Sequence, residues 1–186
     1  MPDEPQPRNR LLAAAIDYSL EHGIADVSLR ELAEAIGTSH RMLIYHFGSK
    51  EQLMVAVVRE VEAAQRRLFA ASLASDTGDP VDAARRLWRR VADRRMWPQE
   101  RLFFEVYVQA LLGRPGTEGF LDDVVGAWTT ADLAAGGGAA AGDEVDLRLG
   151  VAVVRGLLLD LLATGDRRGV NQAFERYLAG TEARHA

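Results

Sequence analysis

The amino-acid sequence predicts an all-α protein of about nine helices. Three observations lead there. Apolar residues recur at helical spacing through most of the 186 residues. Capping residues and glycines bound those stretches where helices should start and stop. No segment alternates apolar and polar side chains convincingly enough to read as a strand. Composition agrees: 48% apolar and 26% charged residues are ordinary for a globular chain with a real core.

The opening residues, MPDEPQPRNR, set prolines among acids and read as disordered through Pro7. They hold no apolar signal core. The longest apolar run, Gly156 to Ala163, is broken by Asp160 and falls short of spanning length. The expected location is therefore cytoplasmic. The chain has no cysteine, which excludes disulfides and thiolate metal sites.

A first helix should run from Arg8 to His22, with Leu12, Ile16 and Leu20 on one face and Gly23 as its stop. Ser28 and Glu31 then form an S-x-x-E capping box. Leu29, Leu32, Ala33 and Ile36 make one apolar face, and Gly37 stands where a left-handed residue should end the helix. Thr38 and Ser39 can cap a second short helix, His40 to about Phe47, which Gly48 breaks. Ser49 and Gln52 repeat the capping pattern, so a long helix starts near Lys50. It meets no breaker until about Ser75, a length of roughly 38 Å.

Asp76 to Asp79 reads as a turn, and Asp79-Pro80 as a cap followed by proline at the first helical position. Val81, Ala84, Trp88 and Val91 mark the fifth helix. Pro98 opens a sixth. Its LFFEVYVQALL is apolar nearly all round, so it should be central and buried, with Arg101, Glu105 and Gln109 as its only polar stripe. Gly113 to Gly119 is a loop, and Phe120 to about Ala134 a seventh helix. Ala135 to Gly142 is a Gly/Ala loop. Asp143, Glu144 and Asp146 favour a helix start through the dipole. That helix is apolar on most faces from Val151 to Leu162 and ends at Gly165. Val170, Ala173, Phe174, Tyr177 and Leu178 mark the last.

Two short helices across a glycine turn form a helix-turn-helix pattern, whose second helix enters the DNA major groove. The expected division is a helix-turn-helix DNA-binding domain at 1–50 and a second helical domain at 51–186. Residues Ser28, Arg30, Leu32, Ala33, Gly37, Ser39, Leu43, His46, Phe47, Ser49, Lys50 and Leu53 fall in the order and spacing of one known pattern. On them the first 55 or so residues resemble the DNA-binding core of the tetracycline-repressor (TetR) family. Ile44 stands where that family usually has Tyr, and Met42 where it often has a small hydroxyl residue. This departure moves phosphate contact onto Ser39, His40, Arg41, Tyr45 and Lys50.

Each of these positions also has a plainer reading. Arg41 and His40 lie near the start of the second helix, where base contacts concentrate, but could be only an exposed polar face. Ser39 could bond a phosphate or merely cap, and Tyr45 could pack or touch phosphate. Ser28 and Arg30 are expected phosphate neighbours, although capping alone explains Ser28. His46 reads as bonded inside the core. Lys50 is more telling: a cation in a helix's first turn opposes the dipole, whereas an arriving phosphate reverses the sign. The resemblance also places a phosphate-contacting Lys here.

Net charge is −5, and within residues 1–50 seven acids outnumber five bases. DNA binding must therefore use a local basic face, with weak non-specific affinity. No G-x-S-x-G, Walker loop or nucleophile–base pair is present, so the chain is read as no enzyme. His22, His40, His46 and His185 form no ligand pair at helical spacing, so no metal or other cofactor is expected.

The resemblance further implies a dimeric, ligand-responsive regulator, most often a repressor. An inducer pocket would lie in the second domain, lined by Trp88, Phe103, Tyr107 and Trp128, with Arg101, Glu105 or Gln109 adding polarity. Plain core is the competing reading of those aromatics, and a constitutive DNA-binding protein the competing function. The helix from Asp143 presents Val151, Val154, Leu158, Leu161 and Leu162 on one broad side, more than one chain can cover. Gly156 would let a partner backbone approach. With the final helix and Phe174, the expected partner surface comprises Val154, Gly156, Leu158, Leu161 and Phe174. The partners implied are a palindromic DNA operator, a second copy of the chain and a small-molecule ligand.

Overall fold

The computed structural model describes residues 6–24, 26–73, 79–129 and 144–185. Among them are nine α-helices and no strand. They are α1 (Pro7–His22), α2 (Leu29–Ala35), α3 (His40–Phe47), α4 (Lys50–Leu73), α5 (Pro80–Val91), α6 (Trp97–Leu111), α7 (Phe120–Thr129), α8 (Glu144–Thr164) and α9 (Arg167–His185). A 3-10 turn, Arg94–Met96, precedes α6. The all-α expectation holds, element for element. Of the disorder expected through Pro7, residues 1–5 lie outside the described residues, but Pro7 is the first residue of α1 and Gln6 its N-cap. Positions 76–78 of the expected turn and the Gly/Ala loop at 135–142 also lie outside them, and Asp79 caps α5.

The chain divides into two compact units. One comprises Met1–Glu62 and Pro98–Asp123, the other Ala63–Trp97 and Val124–Ala186. The first is built on Ile24, Leu32, Leu43, Phe47, Leu53 and Val57, all buried, with Leu102, Val106 and Phe120 from α6 and α7. A buried polar contact lies within it. The Gln99 side-chain amide donates to Ser19 Oγ and to the carbonyl of Ile16 (3.3 Å), and Ser19 in turn donates to Ile16 (2.8 Å). This ties the first turn of α6 to α1. Arg59 of α4 pairs with Asp123 in the first turn of α7 (2.6 Å) and donates to the carbonyl of Glu118 in the loop before it (3.3 Å).

One expectation about α6 needs correcting. Leu102, Phe103 and Val106 are buried, but Val108, Leu111 and Leu112 are exposed. An apolar circumference reads as all-round burial only if neighbours surround the helix. Here one face meets the core while the last turn runs into a loop. Conversely, polar Gln99 and Glu100 in the first turn are buried.

The second unit centres on Trp88, Val91, Val124, Trp128, Leu158, Leu161, Val170, Phe174 and Leu178. Trp88 stacks on Phe174 at 4.8 Å, and its indole N–H donates to Asn171 Oδ1 at 2.8 Å. Both its apolar body and its polar tip are thus satisfied inside the unit. α5 begins as the sequence indicates: Asp79 Oδ1 accepts the Val81 amide (2.9 Å), with Pro80 in the first helical position. α8 and α9 pack together across a short connection at Gly165 and Asp166.

The residues expected to meet a partner divide sharply. Leu158, at 4% exposure, is buried in this unit with Leu161 and Phe174, Val154 is half-buried, and only Gly156 lies at the surface. Three of the five therefore serve the chain's own core. The periodicity was sound, but it could not say which of two apolar flanks α9 covers.

Candidate nucleic-acid interface

The helix-turn-helix forms through local bonds that the sequence encodes. Ser28 Oγ accepts the Glu31 amide (3.3 Å), and Glu31 Oε2 accepts the Ser28 amide (2.8 Å). α2 ends in a Schellman arrangement. Thr38 N–H bonds the Ala33 carbonyl (2.8 Å), Gly37 N–H that of Glu34 (3.2 Å), and Gly37 sits at φ 71°. A side chain there would be strained, so glycine sets the turn between α2 and α3. Ser39 caps α3 by accepting the Met42 amide (3.2 Å), and Ser49 caps α4 by accepting that of Gln52 (3.2 Å). Gly48, at φ 83°, ends α3 where any Cβ would run into the Gln52 carboxamide.

α3 turns Leu43 and Phe47 into the core, and the Arg8 guanidinium lies 5.1 Å from the Phe47 ring centroid. Its remaining face is open. His40, Arg41, Met42, Ile44 and Tyr45 are all exposed, Tyr45 by 78%. Arg41 and Tyr45 are four apart and project opposite the buried pair, from the side of the helix free to enter a groove.

Ser28, Arg30 and Ser39 are exposed nearby in sequence, and Lys50 is half-buried at the first position of α4. Capping uses an acceptor lone pair of Ser28 and Ser39 and leaves each hydroxyl proton able to donate outward. Both readings of these serines are therefore compatible. The Ser28 hydroxyl and amide hold the Glu31 carboxyl below its ordinary range, with a smaller contribution from the Lys50 charge. Lys50 thus stands beside the Glu31 carboxylate as well as at a helix start. His46, expected to be bonded in the core, has a buried Nε2 without a hydrogen bond among the described residues, its ring edge-on to Tyr45 at 4.9 Å.

The four aromatic residues expected around a ligand come from both units. Phe103 and Tyr107, 5.7 Å apart, belong to the first unit. Trp88 and Trp128 belong to the second, Trp128 beside Phe69 at 6.1 Å. Of the polar stripe on α6, Arg101 is exposed, while Glu105 accepts from Gln109 (3.2 Å). Sequence reasoning missed the buried Glu62, Gln65, Gln99 and Glu100. The one available signal was the polar Gln-Glu pair directly before an apolar run.

Residues 11–57 match the family model TetR_N, described as bacterial regulatory proteins, tetR family. The repressor AcnR of Corynebacterium efficiens is 40% identical over 53 residues, 28% of each chain. The regulator RutR of Escherichia coli K12 is 37% identical over 54 residues, 29% of this chain and 26% of that one. The matched stretch thus spans little more than a quarter of either relative. Solved structures extend the likeness. A TetR-family member from Streptomyces coelicolor superposes with a TM-score of 0.66 at 27% identity, over 94% of this chain and 97% of that one. The multidrug binding protein EbrR, in complex with ethidium, gives 0.67 at 27% identity, over 93% and 96%.

Proposed function

The chain belongs to the TetR family of bacterial regulatory proteins, and from that premise we propose that it is a dimeric, ligand-responsive transcriptional regulator that binds a palindromic operator. The observation that carries this reading is the open face of α3, capped and positioned by its neighbours and lined by His40, Arg41 and Tyr45. Arg41 supplies a bidentate donor for a guanine edge. Ser28, Arg30, Ser39 and Lys50 supply phosphate contacts, which position the helix without reading sequence.

The partner surface we assign to this reading is the exposed seam of α8. Val145, Leu149, Ala152, Gly156, Leu159 and Ala163 are all exposed and alternate in steps of four and three. That is the spacing by which one helix meets another, and every member is apolar or glycine. It retains Gly156 from the sequence reading and replaces the buried Leu158, Leu161 and Phe174. A two-fold contact of this kind presents two α3 helices to two inverted half-sites.

For the ligand we infer an aromatic organic cation. Glu100, Phe103 and Tyr107 recur on one face of α6, a carboxylate followed by two rings, and the similar protein EbrR is a multidrug binder solved with ethidium. A ligand that displaced α6 would act on α1 through the Gln99–Ser19 contact, in addition to any tilt of α4. Release of DNA then requires that the ligand favour the released state over the bound one. The test is enrichment of bound duplexes from a random-sequence library. A palindromic consensus is expected, bound more weakly by Arg41→Ala and with relaxed preference at one position. Enrichment of no sequence overturns the reading.

A further inference from the structure

Resting on the reading of α3 as the DNA-reading helix, we propose that Ile44 reads a thymine methyl group in each half-site. Met42 and Ile44 are each 38% exposed on α3, beside Tyr45 at 78%. A seven-residue stretch so placed on the protein surface, His40–His46, thus turns three large apolar or aromatic side chains toward water. Folding does not explain them. The core of this unit is served by Leu43 and Phe47, and β-branched Ile44 is a weaker helix former than the polar residues that would suit an exposed site.

The chemistry of the major groove supplies a partner. Of the four bases, only thymine presents an apolar group there, its C5 methyl, and an aliphatic side chain recognises it by contact and exclusion of water. Ile44 lies three residues beyond Arg41, so the two share a side of the helix one turn apart. Arg41 is the hydrogen-bonding reader and Ile44 the apolar one, of an adjacent base pair. This gives the departure from Tyr at that position a positive consequence: a phosphate contact is exchanged for base discrimination.

Deoxyuridine tests this cleanly, because it keeps every hydrogen bond of thymine and lacks only the methyl. The probe is the duplex recovered by selection, remade with single thymines replaced by deoxyuridine in both half-sites, and titrated against wild type, Ile44→Ala and Met42→Ala by fluorescence anisotropy. Burial of one methyl-sized group corresponds to about fourfold in affinity. Wild type should lose about fourfold per methyl at one thymine position of each half-site. Ile44→Ala should bind the thymine duplex more weakly and no longer distinguish it from the deoxyuridine duplex. Met42→Ala should discriminate as wild type does, and Ile44→Val should recover most of the preference. The proposal is overturned by a selected half-site without thymine, by equal wild-type affinity for the two duplexes, or by discrimination that persists in Ile44→Ala. Those outcomes leave DNA binding standing, whereas failure to enrich any duplex removes both.

Discussion

Leu158 and Leu159 are neighbours on α8 with opposite environments, 4% against 55% exposed, and their variants should fail in opposite ways. Leu159 lies on the proposed partner seam. Full burial of a leucine side chain is worth about 1.5–3 kcal/mol, so the exposed half of Leu159 contributes about 1 kcal/mol per copy and about 2 kcal/mol across a two-fold contact. That alone raises the dimer dissociation constant about thirtyfold, and arginine adds the desolvation of an unpaired charge. Leu159→Arg should therefore sediment as a monomer at micromolar concentration, melt with a wild-type far-UV signal and lose operator affinity. Leu158→Ala instead opens a cavity in the core of the second unit and should cost about 2–5 kcal/mol of stability. Urea denaturation and sedimentation velocity on both variants separate the cases. A Leu159→Arg protein that stays dimeric, or a Leu158→Ala protein that dissociates with undiminished stability, would refute the assignment of these two faces.

Lys50→Ala should weaken binding to all duplexes about equally and lower the salt slope by about one; unchanged affinity and slope in gel shifts would remove its phosphate role. Glu31 is held below its ordinary carboxylate value by Ser28 and Lys50, so its contribution is present above about 4.5, the ordinary value, and is lost as pH falls below it. Glu31→Gln should accordingly show less acid destabilisation than wild type in urea titrations. Gln99→Leu should uncouple α6 from α1: malachite green should still quench tryptophan emission, with DNA release blunted, and full release would argue against this route. The wild-type protein should be quenched by the same cation and release its duplex, and quenching without release would count against ligand coupling.

Most of the helix-turn-helix was legible because its signals are local. Capping boxes, Gly37 and Gly48 determine their own backbone, and each formed the bond its residue type favours. The second half was legible as helices and less so as faces. α8 is apolar around most of its circumference, so sequence alone could not tell Leu158 from Leu159; tertiary contact with α9 decides that. The same holds for α6, where Gln99 is buried because Ser19, eighty residues away in the chain, accepts its amide. The dispersal of Trp88 and Phe103 between two units likewise depends on topology rather than on any local pattern.

The central claim is that α3 lies in the major groove, and it has a direct test. The chain has no cysteine, so Met42→Cys creates a single attachment point for an iron–EDTA cleavage reagent on the exposed face of α3. On the selected duplex, cleavage should fall in two clusters related by two-fold symmetry and separated by about one helical turn, with the strand offset of a major-groove source. Cleavage spread evenly along a duplex that is nonetheless bound, or clusters with a minor-groove offset, would contradict it.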